Sequence, residues 1–270
     1  MSKLIITVAP TGNVPTKKLN PHSVLENYEI VQDLILCEKA GASVAHLHVR
    51  DSDSKPTSDR GLFEDLIKRM DSAGLKMIKQ LSTGARGGKN TIDYRSQMLD
   101  LNVEMASLST GSSNFPTSVN SNSPELIESL ARTMFNNGIK PEIEIFDVAM
   151  IKNTNWLIKK GIINPKLHFN LVMNVPGSIP GTPKNLMFLI DSLPSNSTFS
   201  VSGIGKSQIT MLTMAILMGG HVRTGLEDVL MYDDNTYATN EILVKRIVRI
   251  ANELGREIAT TDEARGILNL

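Results

Sequence analysis

One repeated alternation constrains this chain more than anything else in it: short runs rich in β-branched and other apolar residues are separated by longer stretches of helical period. Eight such runs can be read, Leu4–Ala9, Ser43–Val49, Leu75–Ser82, Val103–Ser109, Glu142–Phe146, Leu167–Met173, Thr198–Ser202 and His221–Thr224. Between them the periodicity predicts helices over Ser23–Ala40, Leu62–Ala73, Pro124–Asn137, Lys184–Leu193, Gln208–Met218 and Asn240–Leu254, with a short terminal helix near Asp262–Leu268. Strands that alternate with helices build βα units around a parallel sheet. Eight of them in 270 residues fit a (β/α)8 barrel, for which ~250 residues is typical. The rival is a doubly wound open sheet. It loses its main support because Thr11-Gly12-Asn13, and no G-x-G-x-x-G, follows the first strand. The expectation is an α/β protein, a (β/α)8 TIM barrel spanning residues 1–270 as one domain, with its chemistry at the C-terminal ends of the strands.

Composition narrows the partners. Lys+Arg and Asp+Glu stand at 28 each, so no global field draws in a nucleic acid. Cys37 is the single cysteine and cannot form an internal disulfide. No apolar run approaches the ~18–20 residues needed to span a bilayer, so no membrane association is expected. The N-terminal apolar run is too short for a signal peptide, and a cytoplasmic setting is expected.

The second strand closes on Ala45-His46-Leu47-His48-Val49-Arg50-Asp51. Residues i and i+2 of a strand face the same way, roughly 6.5–7 Å apart by the strand rise. Two imidazoles at the mouth of a barrel can therefore converge on one cation, while Leu47 turns to the outer helices. Imidazole suits zinc, with copper, iron and nickel as alternatives. The plainer alternative is a pair of polar residues in a wet interior. A catalytic zinc takes three protein ligands and keeps a position open. Glu227, after the eighth strand, is the best third ligand, because that strand lies only two places from the second around a closed barrel. Glu144 on the fifth strand is the runner-up. Cys37 falls within the first helix, where packing is the expected role.

Arg223-Thr224-Gly225-Leu226-Glu227-Asp228 adds two adjacent carboxylates and an arginine. With Glu227 on a metal, Asp228 is free to act as a general base, and Arg223 can hold it ionised by a bidentate contact. A surface ion pair is the alternative, which the apolar flanks disfavour. Three further strand ends carry small hydroxyl residues and glycines: Ser82-Thr83-Gly84-Ala85-Arg86-Gly87-Gly88, Ser107-Leu108-Ser109-Thr110-Gly111-Ser112 and Ser202-Gly203-Ile204-Gly205-Lys206-Ser207. Such turns free backbone N–H groups for anions, and together they point to an anionic substrate. The Pro/Gly-rich loop 174–184 reads as a semi-rigid lid, a pocket wall or an ordinary connector.

These motifs, with Gln80-Leu81-Ser82-Thr83-Gly84, Glu104-Met105-Ala106-Ser107-Leu108, Pro141-Glu142-Ile143-Glu144, Val175-Pro176-Gly177, Gly219–Asp228 and Ala259–Arg265, resemble the β-keto acid cleavage enzymes over nearly the whole chain. The resemblance implies a zinc-dependent barrel, usually a homotetramer, that converts a β-keto acid and acetyl-CoA into acetoacetate and a new acyl-CoA. Carried over by motif, His46, His48 and Glu227 bind the metal, which serves as a Lewis acid. Asp228, paired with Arg223, is the base. Ser82 and Ser107 contact the acetoacetate-like end beside Thr83, and Glu144 belongs to the polar network beneath. CoA lies along the loops after strands six and seven, including 176–183 and Gly203, Gly205 and Lys206. Family members acting on amino-substituted acids carry a glutamate where this chain has Val14. An ammonium finds no counter-charge there, and Asn13 is a weak substitute, so the expected substrate lacks that amine. Two other readings are an amidohydrolase-like metal-dependent hydrolase and a non-catalytic acyl-CoA- or metal-binding barrel. The first needs histidines on strands five and six, where the chain offers Glu142, Glu144 and an early His168.

Overall fold

The computed structural model describes residues 1–84, 88–116 and 118–270. Eight parallel strands form its centre: β1 (Ile6–Val8), β2 (Val44–Leu47), β3 (Ile78–Leu81), β4 (Met105–Ser109), β5 (Lys140–Ile145), β6 (His168–Met173), β7 (Thr198–Gly203) and β8 (His221–Thr224). They close in chain order, and β1 pairs with both β2 and β8. The (β/α)8 barrel expected from the alternation is the observed fold.

Helices α1 (Asn27–Ala40), α2 (Arg60–Ser72), α3 (Ile92–Ser96), α4 (Pro124–Asn136), α5 (Val148–Lys159), α6 (Pro183–Asp191), α7 (Gln208–Leu217) and α8 (Asn240–Glu253) follow the successive strands, and α9 (Thr261–Leu268) ends the chain. Their starts follow from local sequence. Ser123, Thr239 and Asp147 each turn a side-chain oxygen onto a free backbone N–H of the first turn of α4, α8 and α5. Gly41, at φ 116°, ends α1 in a left-handed conformation that glycine adopts without cost. The helical period did not predict α3 or α5. The first has one turn, and the second carries Asn153-Thr154-Asn155, residues that favour caps over helix interiors.

Alternate residues of each strand face inward. At the base Ile5, Val44, Ile78 and Met105 pack against Ala264 and Leu268 of α9, which plugs the barrel. Above this plug the interior turns polar, with Gln80, Glu142, Asn170 and Ser202 all buried. At the mouth two hairpins rise from strand ends, Val49–Arg50 with Pro56–Thr57 and Ser113–Asn114 with Val119–Asn120. The run Ser43–Val49, predicted as one strand, therefore divides at His48, where the chain leaves the barrel for the first hairpin. Among the described residues no helix is long and apolar enough to cross a membrane.

Candidate metal centre and active site

His46 ends the inward face of β2 and His48 follows where the strand breaks, so both imidazoles stay on the barrel axis. Their ring centroids lie 5.1 Å apart. Glu227 reaches them from the loop after β8: its Oε2 is 3.3 Å from His48 Nε2 and 3.7 Å from His46 Nε2. Ligands about 2.0–2.2 Å from a tetrahedral metal lie about 3.3–3.5 Å from one another, so this spacing suits a single cation. His48 Nε2 and Glu227 Oε2 are both buried without a hydrogen-bond partner, an arrangement that costs free energy unless something fills it. His46 Nδ1 donates to Gln80 Oε1 at 2.6 Å, which leaves the Nε2 lone pair facing the cluster. Burial pushes the His46 pKa down to about 3, so the ring is neutral, as a metal ligand must be. Burial would raise the Glu227 carboxyl, but the Arg223 guanidinium and the His48 and His46 imidazoles together outweigh it and hold the group below the usual carboxylate range. The residues present fit a divalent cation; Glu144, the runner-up ligand, lies outside the trio.

Glu227 is placed by glycines. Gly225, at φ 139°, packs its Cα onto the end of β1, where an added Cβ would meet the Ala9 carbonyl oxygen at 2.2 Å. Gly12, in the loop after β1, lies against the glutamate stem, and a Cβ there would fall 2.4 Å from Glu227 Cγ. Glu227 N donates to Ala9 O, and Leu226 N donates to Asn240 Oδ1 at the start of α8.

Arg223 points inward from β8 and grips Asp228 in the bidentate manner the sequence suggests. Nε donates to Oδ2 at 3.0 Å and Nη2 to Oδ1 at 2.6 Å. Its Nη1, 3.7 Å from Glu144, is buried without a hydrogen-bond partner. Burial pushes the Asp228 carboxyl up to about 6 even so, with Glu227 and Glu144 adding to the rise. Ser109 donates to Glu144 Oε2 at 2.9 Å, and burial raises the Glu144 carboxyl above its ordinary range.

Two cavities meet at these groups. The inner one, about 190 Å³, has His46, His48, Ser82, Ser109, Glu144 and Arg223 as its polar floor and Phe115, Phe146, Val172, Val175 and Pro176 as apolar walls. The outer one, about 740 Å³, runs between the loops after β7 and β8, past Gly205, Lys206, Leu230, Met231 and Arg246. Val14, Ile204, Glu227 and Asp228 line both.

The family model of the beta-keto acid cleavage enzyme matches residues 3–270. The chain belongs to that family. It is 43% identical to the 3-keto-5-aminohexanoate cleavage enzyme of Acetoanaerobium sticklandii, over 100% of this chain and 99% of the relative. It is 38% identical to the 3-oxoadipate:acetyl-CoA acetyltransferase of Cupriavidus necator, over 98% and 94%. Among solved structures, the apo structure of ObcA superposes with a TM-score of 0.82 at 19% identity, covering 93% of this chain and 66% of ObcA, which speaks to the fold alone.

Not every residue singled out in this family member's sequence reaches the cavities. Ser82 does, but Thr83 and Ser107 are spent on one another: Thr83 N donates to Ser107 Oγ, and Thr83 Oγ1 donates to Ser107 O at 2.6 Å, tying β3's end to β4. Ser109, two residues nearer the mouth, faces the inner cavity instead. Gly205 and Lys206 line the outer cavity, whereas Gly203 backs onto α7, with a Cβ position 2.7 Å from Gln208 Cα. Pro176 walls the inner cavity; Gly177–Pro180 border a separate surface depression. Of the turn after β3, Ala85, Arg86 and Gly87 lie outside the described residues. Gln80 and Asn120 went unassigned. Gln80 is the register partner of His46, so the parallel pairing alone could have placed it.

Proposed function

We propose that this enzyme converts a β-keto acid and acetyl-CoA into acetoacetate and a new acyl-CoA, with a divalent cation, zinc by its ligand set, held by His46, His48 and Glu227. One observation carries the reading. Asp228, buried and bonded to Arg223, lines both the small inner cavity and the large outer one, where two substrates would meet. The inner cavity has room for a short keto acid, with Arg223 Nη1 and the Ser82 hydroxyl available to its oxygens. The outer cavity suits acetyl-CoA, with Lys206 and Arg246 near enough for phosphates.

A cation held by His46, His48 and Glu227 would supply Lewis-acid stabilisation of negative charge on the substrate. Asp228 accepts the proton from the carbon between the two carbonyl groups, and a carboxyl raised towards neutrality is a better base for that task. Arg223 fixes the angle of that carboxylate. The carbon then attacks the acetyl thioester, and CoA thiolate leaves. The thiolate attacks the original ketone, the bond between that ketone and the former nucleophilic carbon breaks, and acyl-CoA forms. Asp228 returns its proton to the carbon of the departing acetoacetate.

Val14 offers no counter-charge at the junction of the cavities, so the preferred acid carries an uncharged, apolar tail. The family resemblance adds a homotetramer in the cytoplasm; exposed Leu36, Trp156 and Phe188 on the outer helices supply apolar surface for such contacts. The test is to incubate purified enzyme with a panel of β-keto acids, with and without acetyl-CoA, and identify the acyl-CoA formed. Acetoacetate appearing only with acetyl-CoA, from enzyme carrying one divalent ion per chain, is the expected result. Hydrolysis without acetyl-CoA, or no turnover of any member, overturns the reading.

A further inference from the structure

Arg50 belongs to the sequence motif that carries the candidate metal ligands, yet it is not one of the ligand trio and lines neither cavity, although the Glu227 charge reaches it. It stands at the foot of the first hairpin and is 7% exposed. Nη1 donates to Ser54 O within its own hairpin, at 2.9 Å. Nη2 reaches back to the loop after β1 and donates to the carbonyl oxygens of Gly12 and Pro15, the latter at 2.9 Å. Those two carbonyls bracket Asn13 and Val14. Asn13 lines the inner cavity, with Oδ1 buried and without a hydrogen-bond partner, and Val14 lines both cavities. A single nitrogen on the extension of β2 therefore fixes both ends of the two-residue segment that faces the junction.

We propose that Arg50 is a positioning residue for substrate selection. By clamping the Gly12 and Pro15 carbonyls it holds Asn13 and Val14 at the depth that admits one kind of keto-acid tail. Without the clamp the segment can move outward, and the subsite accepts tails it would otherwise refuse. This inference rests on the seating of the tail beside Val14 described above.

The experiment compares kcat/KM for 3-oxohexanoate and 3-keto-5-aminohexanoate, which differ by one amine, in the metal-loaded wild type and three variants. Val14→Glu is expected to shift the ratio toward the amine by about tenfold or more, as a new counter-charge should. Arg50→Met is expected to lower the preference for 3-oxohexanoate by about tenfold, chiefly through its KM, since a displacement of about 1 Å suffices for such losses. Bound metal per chain stays unchanged. Arg50→Lys keeps the ratio within about threefold of wild type, because both loop contacts fall on one nitrogen and an ammonium has three donors. A merely structural role would depress both substrates alike and leave the ratio where it was. An unchanged ratio in Arg50→Met, with Val14→Glu shifting as expected, overturns the role of Arg50 alone. No shift in Val14→Glu overturns the seating of the tail. Failure of Arg50→Met to fold, read by thermal unfolding, makes Arg50 an anchor of the fold and also overturns the inference.

Discussion

The barrel interior holds buried histidines and glutamates at both ends and treats them in opposite ways. At the base, His168 Nδ1 bonds Thr198 Oγ1 at 2.9 Å, and its Nε2 lies 3.5 Å from Glu142. His221 Nδ1 accepts from Ile5 N, Asn170 donates to Glu142, and Ser202 donates to Asn170. At the mouth, His48 Nε2, Glu227 Oε2 and Arg223 Nη1 are equally withdrawn from water but lack hydrogen-bond partners. Residue type and burial are shared, so neither distinguishes structure from function. Satisfaction does: His168, His221 and Glu142 at the base bond to the protein, whereas His48 Nε2, Glu227 Oε2 and Arg223 Nη1 at the mouth have no partner within it.

Breaking the mouth should have the largest effect. His48→Ala should abolish metal retention and reduce turnover by about 10³-fold or more, as the loss of several kcal/mol of Lewis-acid stabilisation implies. Metal analysis and single-turnover assays check it, and a chelator followed by zinc should reproduce and reverse the loss without changing the circular dichroism. Asp228→Asn should leave metal content intact and lower kcat by at least about 10²-fold, which separates the base from the ligand beside it. At the other end, His168→Ala should cost about 1–3 kcal/mol of stability by leaving Glu142 and Thr198 short of partners, with metal content unchanged in denaturant titrations of the same preparation.

The smallest effect concerns pH. Burial, helped by Glu144, raises the Glu142 carboxyl to about 7 from its ordinary value of 4.5. The folded state therefore holds a proton that the unfolded chain has released. Stability contributed at this site is full below the unfolded value, falls as pH rises from about 4.5 to about 7, and is flat above. Glu142→Gln should flatten that stretch of the stability profile. A slope that survives the substitution would assign the linkage to another group, such as Asp33, which burial raises to about 6.

Local pattern made the barrel legible, because strand and helix periods are properties of neighbouring residues. All eight strands and every helix except α3 and α5 follow from them. The same patterns also put His46, His48, Glu227, Asp228 and Arg223 at the mouth, since strand ends and the closure of β8 beside β1 are topological facts. What escaped was set by contacts across the chain. Ser107 and Ser109 share an inward face, and only contacts distant in sequence decide that the first is tied to the Thr83 backbone and the second is bonded to Glu144 at the inner cavity. Gly203 looked like its neighbour Gly205, but the packing of α7 claims it. The reach of Arg50 to a loop 35 residues earlier has no local signature at all.

The contact between Gly12 and the stem of Glu227 divides one short loop into a frozen position and an adjustable one. Any side chain at 12 would dislodge the Glu227 carboxylate from its place beside His46 and His48, whereas Val14, half in solvent, can be exchanged without disturbing it. On the proposed function, selectivity could thus drift from one acid to another while the bond-making apparatus stays put.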